Sequence, residues 1–146
     1  MLEPSLYFPS KLYFDIDIHA CNNRGRNVKE LISELVNIFV SSCNSVYSLN
    51  CSFDDVIILD SCCDKKISYH IIFKSIVFSC NTKCKSFIVN VLKSLSFDDY
   101  QKLTAFDKYG EKKLVIDLDV YNRNQNFREF IDKNINFIFQ YQTPIA

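Results

Sequence analysis

Three stretches of this sequence set acid, hydroxyl or imidazole groups two positions apart. Asp15 and Asp17 stand in KLYFDIDI, Ser68 and His70 in ISYHIIFK, and Asp117 and Asp119 in KLVIDLDV. In an extended strand, residues i and i+2 point to the same face, so each pair presents its groups side by side. If the three strands are neighbours, the carboxylates converge beside a hydroxyl and an imidazole. Crowded carboxylates repel one another and stay ionised mainly where a divalent cation sits between them. Two hard cations on oxygen ligands are the standard device for phosphoryl or nucleotidyl transfer. Ser68, His70 and nearby Lys66 are then suited to hold a nucleoside triphosphate. The plainer alternative is that alternating Asp residues mark the water-facing side of an antiparallel sheet. The same parity recurring on three strands is what favours chemistry.

The octapeptide YNRNQNFR, residues 121–128, follows the Asp117 stretch directly and sets Arg123 and Arg128 among three asparagines. Guanidinium and amide groups suit phosphate through forked hydrogen bonds, although an ordinary polar loop has the same composition. The seven cysteines are odd in number and irregularly spaced. That pattern points to a reducing compartment rather than to a secreted disulfide scaffold. Cys80 and Cys84 form a single CxxxC, far in sequence from His19 and His70. Buried or loop thiols therefore fit better than zinc.

These groups need elements to position them. Residues 11–18 alternate, with Leu12, Phe14, Ile16 and Ile18 on one face and Tyr13, Asp15, Asp17 and His19 on the other. This predicts a strand with an apolar back and an acidic front. NNRGRN then turns, and Asn27 with Glu30 three residues later predicts a capped helix through about residue 43. Strands follow at 56–60 and 67–74, a helix at 82–95, and a short helix at 97–106. A turn at Gly110 leads to a strand at 113–120, and a last strand is expected at 136–141. The order predicts an α+β fold, an RNA-recognition-like antiparallel or mixed sheet with helices on one face.

The whole chain, 146 residues with 48% hydrophobic content, suits one domain with a buried core. Basic and acidic residues balance at 17 each. A domain that holds nucleic acid by overall charge is thereby disfavoured, and any polyanion site must be local. No apolar run reaches the ~20 residues of a membrane helix, and residues 1–10 do not have the layout of a secretory signal.

The segments KLYFDIDI, LNCSFDDVIILDSCCDKKISYHIIF and GEKKLVIDLDVYNRNQNFR resemble the catalytic core of the eukaryotic primase–polymerases, the PrimPol family of the archaeo-eukaryotic primase superfamily. The family's signatures are an acidic pair in a strand, a Ser-x-His strand, and a strand ending in a single Asp. Here they read Asp15-Ile16-Asp17, Ser68-Tyr69-His70 and Asp117, in order, within residues 11 to 130. The resemblance implies a DNA-directed primase/polymerase, a nucleotidyltransferase acting in DNA replication, translesion synthesis and damage tolerance. It implies that Asp15, Asp17 and Asp117 are catalytic and bind two divalent cations, Mn²⁺ or Mg²⁺. It assigns Lys66, Ser68, His70, Asn126 and Arg128 to the incoming triphosphate. Template-primer DNA and nucleoside triphosphates are the implied partners, with single-stranded-DNA-binding proteins by family alone and no membrane. The nucleus and mitochondrion are the implied compartments.

The sequence departs from the family pattern at named points. The acidic pair is Asp-x-Asp where the family has Asp-x-Glu, Gln125 replaces an arginine, and Asp119 stands where Gly is common. The connection between the Ser-x-His and last-Asp strands is short. By the resemblance, residues 1–146 form a single partial catalytic module without the family's N-terminal segment and C-terminal zinc region, and no zinc is expected in it. Two other functions fit the same residues: a non-catalytic remnant that binds nucleotide or nucleic acid, and a metal-dependent nuclease on a similar sheet.

Overall fold

The computed structural model describes residues 9–122. The chain runs β1 (Ser10–His19), α1 (Val28–Tyr47), β2 (Val56–Asp60), β3 (Lys66–Phe78), α2 (Asn81–Ser94), α3 (Phe97–Lys102), β4 (Thr104–Phe106) and β5 (Lys112–Leu114). It is a mixed α+β architecture. β3 lies between β1 and β2 and is antiparallel to both, while β4 and β5 form a separate two-stranded ribbon.

The apolar side of β1 was legible, and it forms the core. Leu12, Phe14, Ile16 and Ile18 are buried. The Phe14 ring packs 4.6 Å from Phe39 of α1 and 5.9 Å from Phe73 of β3, and Phe39 meets Phe87 of α2 at 6.2 Å. The helices therefore cover this face of the sheet. Helix α1 begins where Asn27 accepts a hydrogen bond from the Glu30 amide at 3.1 Å. It continues one turn past the predicted end, because Tyr47 packs on Phe78 and Phe87. It stops at Ser48, which adopts the left-handed conformation at φ 53°. Cys43 and Cys84 belong to the same core, and burial pushes each thiol up to about 12.

Three expectations are corrected. The β3 strand runs to Phe78 rather than residue 74, since Ile76 and Phe78 are also buried and Ser10 pairs with Phe78. The helix expected over 97–106 ends at Lys102, and Thr104–Phe106 leave it to pair with β5. The strand expected over 113–120 is broken into three pieces. Lys112–Leu114 pair with β4, Ile116 makes one antiparallel bridge to Ile16, and Leu118–Tyr121 coil into a 3-10 turn. That turn begins because the Asp117 carboxylate accepts the Asp119 amide at 2.9 Å, a local bond that competes with strand pairing. The strand expected at 136–141 lies outside the described residues.

Candidate metal and nucleotide site

The antiparallel register of β1 with β3 sets Asp15 opposite His70 and Asp17 opposite Ser68. Residues 115–117 lie along the other edge of β1. The Asp17 amide donates to the Val115 carbonyl at 3.2 Å, and the Asp117 amide donates to the Asp15 carbonyl at 2.9 Å. β1 is thus flanked by the two segments that bring the remaining groups. One carboxylate oxygen from each of Asp15, Asp17 and Asp117 lies within 4.8 Å of the others, and all three residues are half-buried. That is the separation of ligands around one or two small cations. Hard carboxylate oxygens are what Mg²⁺ or Mn²⁺ take, so the donor set fits such ions.

The neighbours of the trio act on it unequally. Asp17 Oδ1 accepts from Ser68 Oγ at 2.6 Å and pairs with Lys66 Nζ at 3.1 Å. The bond to Asp17 raises the Lys66 pKa, so its ammonium is held charged. His70 Nδ1 lies 3.7 Å from Asp15 Oδ1. Burial lowers the His70 pKa, the Asp17 charge opposes this, and Lys66 lowers it further. His70 is therefore neutral at neutral pH and offers an N–H without adding charge.

The structure brings Asp15, Asp17, Asp117, Lys66, Ser68 and His70 together. Asp119 is exposed and is not part of the carboxylate trio, and its amide donates to the Asp117 cap. Asn126 and Arg128, with Arg123 and Gln125, lie outside the described residues.

The sequence reading missed the brace that holds Asp117. It set Tyr13 on the open acidic face, yet Tyr13 is 0% exposed. Tyr121, 4% exposed, packs its ring 5.0 Å from that of Tyr13 and donates its hydroxyl to the Tyr13 carbonyl. The Tyr13 hydroxyl in turn faces Asn81 Oδ1 at 3.5 Å. Burial raises the pKa of both phenols, so both remain protonated donors. The brace ties the 3-10 turn that follows Asp117 to Tyr13, two residues before Asp15 on β1. The available signal was a large aromatic at the head of an otherwise polar face.

No protein-family model matches the chain. Among curated proteins it is similar to the DNA-directed primase/polymerase protein of Danio rerio, 28% identical over 163 residues, covering 88% of this chain and 31% of that protein. The Homo sapiens protein of the same name is 24% identical over 189 residues, covering 86% of this chain and 34% of the relative. The Gallus gallus protein of that name is 34% identical over 85 residues, covering 57% of this chain and 15% of the relative. The chain thus spans about a third of the length of the Danio rerio and Homo sapiens proteins. The alignment to the human protein, at 189 residues, is longer than the 146 residues of this chain. That relative therefore carries inserted residues within the aligned region. By sequence, the chain is a homologue of the vertebrate DNA-directed primase/polymerase proteins.

Proposed function

We propose that this chain is a template-directed nucleotidyl-transfer module, a primase–polymerase core that adds nucleotides to DNA with two divalent cations. The observation that carries this reading is the convergence of Asp15, Asp17 and Asp117 within 4.8 Å of one another. A trio drawn from β1 and a separate edge segment supports a shared cation over a merely solvated acidic face, because a cation offsets the repulsion of like charges. The strand order supports the same reading. Residues 115–117, β1, β3 and β2 lie side by side, all antiparallel, with helices on one face. We read this as an RNA-recognition-like sheet with its acidic face open.

When bound, such cations lower the pKa of an attacking 3′-hydroxyl and neutralise the departing pyrophosphate. Asp15 and Asp117 are the residues that would ligate them, and Asp17 would join with an orientation fixed by Ser68 and Lys66. The charged Lys66 ammonium, beside the trio, would offset triphosphate charge. Neutral His70 would donate a hydrogen bond to a phosphate or sugar oxygen. Asn126 and Arg128 would hold the phosphates from the other side, as the family resemblance implies.

The test is primer extension on a DNA template with Mg²⁺ or Mn²⁺. Asp15→Asn and Asp117→Asn should each abolish nucleotide addition, since removing a group that stabilises transition-state charge costs ~3 kcal/mol or more. Full activity in either variant would remove the assignment.

A further inference from the structure

Beside Asp17, a groove of ≈ 430 Å³ opens between the β2–β3 turn and the β4–β5 ribbon. Its walls include Lys65, Lys66, Lys108, Lys113, Phe106 and Tyr109. Two features of it bear on what it could hold. Four lysines face only two carboxylates, Asp17 and Asp107, in a chain whose net charge is zero. And the aromatic rings are left in water: Tyr109 is 75% exposed and Phe106 40%. Lysine ammonium groups sit over both rings, Lys108 at 5.0 Å from Tyr109 and Lys112 at 5.7 Å from Phe106. Exposed aromatic rings among lysines are the surface on which bases stack while phosphates are neutralised.

The ribbon that presents these rings is fastened in place. Asp107 accepts the amides of Tyr109 and Glu111 at 2.9 and 3.0 Å and pairs with Lys113 at 3.4 Å. Gly110 closes the turn at φ 81°, a conformation that favours glycine. Asn23 clamps Phe106 through both of its backbone groups at 2.8 and 3.0 Å, and Asn22 donates to the Asp107 carbonyl at 2.7 Å. Of the two acidic residues in the groove, Asp107 is thus committed to holding the turn and Asp17 to Ser68 and Lys66.

We propose that this groove seats one nucleotide of a single-stranded nucleic-acid chain, its base against Tyr109 and its flanking phosphates on Lys65, Lys108 and Lys113. A mononucleotide carries its charge at one end. A strand carries a phosphate on each side of every nucleotide, which matches lysines supplied by two separate elements. The position, opening beside Asp17, would lead a strand toward the carboxylates. The inference thereby extends the function proposed above, but binding in the groove needs no metal.

The experiment measures fluorescence anisotropy of a labelled single-stranded oligodeoxynucleotide with the 146-residue chain, in EDTA across a salt series. Tyr109→Ala should weaken binding roughly five- to a hundredfold, the range for losing one stacked base. Lys65→Glu with Lys108→Glu should weaken it further and flatten the salt dependence by about 1.4 in log–log slope. Lys83→Glu, in the separate groove between α1 and α2, should bind as the parent does. If nucleotide addition is never observed yet Tyr109→Ala still weakens strand binding, the function fails and the groove stands. Parent-like binding by Tyr109→Ala and by the double lysine variant would overturn the groove assignment. So would a free mononucleotide competing as well, mole for mole, as the strand.

Discussion

The candidate site has two halves that are built differently. Asp15 and Asp17 sit in a strand paired with β3 along its length, from Ser10↔Phe78 to His19↔Lys66, with one irregularity after Lys11. Their apolar neighbours on the other face are the centre of the core. Asp117 reaches the same place on a short segment with one bridge to β1, two flanking backbone bonds and the Tyr121 brace. The first half is set by the ladder and the core together. The second is set by a few specific contacts, which makes it the half that small changes should displace.

The largest effect should come from breaking the first half from behind. Phe14→Ala removes a fully buried ring at the junction of Phe39 and Phe73. It should cost ~3–5 kcal/mol in urea unfolding and carry both halves with it. A loss below that of an ordinary surface change would show that the core is centred elsewhere.

Asp117 separates charge from capping in the second half. Asp117→Asn keeps an acceptor for the Asp119 amide and relieves like-charge repulsion, so metal-free stability should hold or rise. Asp117→Ala loses the cap as well and should be less stable than the Asn variant by ~0.5–2 kcal/mol. Equal stability of the two would show that the cap does not hold the 3-10 turn.

Tyr121→Phe keeps the ring and removes the hydroxyl that donates to the Tyr13 carbonyl. A stability loss of ~0.5–1.5 kcal/mol is expected. On the proposed function, Mn²⁺ affinity should fall in the same variant while the circular dichroism of the sheet is retained. Unchanged Mn²⁺ affinity would mean that Asp117 is positioned without the brace.

The smallest effect is a pH dependence in the first half. Burial lowers the His70 pKa below its ordinary 6.5, so the unfolded chain binds its proton more readily than the folded one. The stability that neutral His70 contributes is present above pH 6.5 and is lost as pH falls toward the folded value. In EDTA, His70→Gln should flatten the stability profile of the chain in that window. An identical profile in the variant would assign the acid sensitivity to other groups.

Much of the first half could be read from the residues. Period-2 alternation told which side chains of β1 and β3 share a face, and Asn27 with Glu30 marked the start of α1. The acidic pair, Ser68 with His70, and Asp117 were all candidates from spacing. Tyr13 keeps the parity of Asp15 and Asp17 in the β1–β3 register, but its burial was not legible, because it depends on Tyr121 arriving from 108 residues away. The extended pattern over 113–120 misled for a similar reason. Alternation describes a strand only if a partner edge is available along its whole length, and here the partner changes from β4 to β1 within three residues.

Sequence by itself determined the types of the long elements β1, α1, β3 and α2, the faces of their strands and the chemistry of the candidate residues, because side-chain periodicity and helix caps are local properties of a chain. Tertiary structure decided which strand lies beside which. β1 lies between β3 and the 115–117 segment, and that placement is what turns three separate acidic positions into one cluster. It also decided that Lys65, Phe106, Tyr109 and Lys113 share one groove. The reason is physical: alternation fixes a face but leaves the neighbouring strand and the register open. Those are settled by long-range burial, here the packing of Phe14, Phe39, Phe73 and Phe87 around a single core.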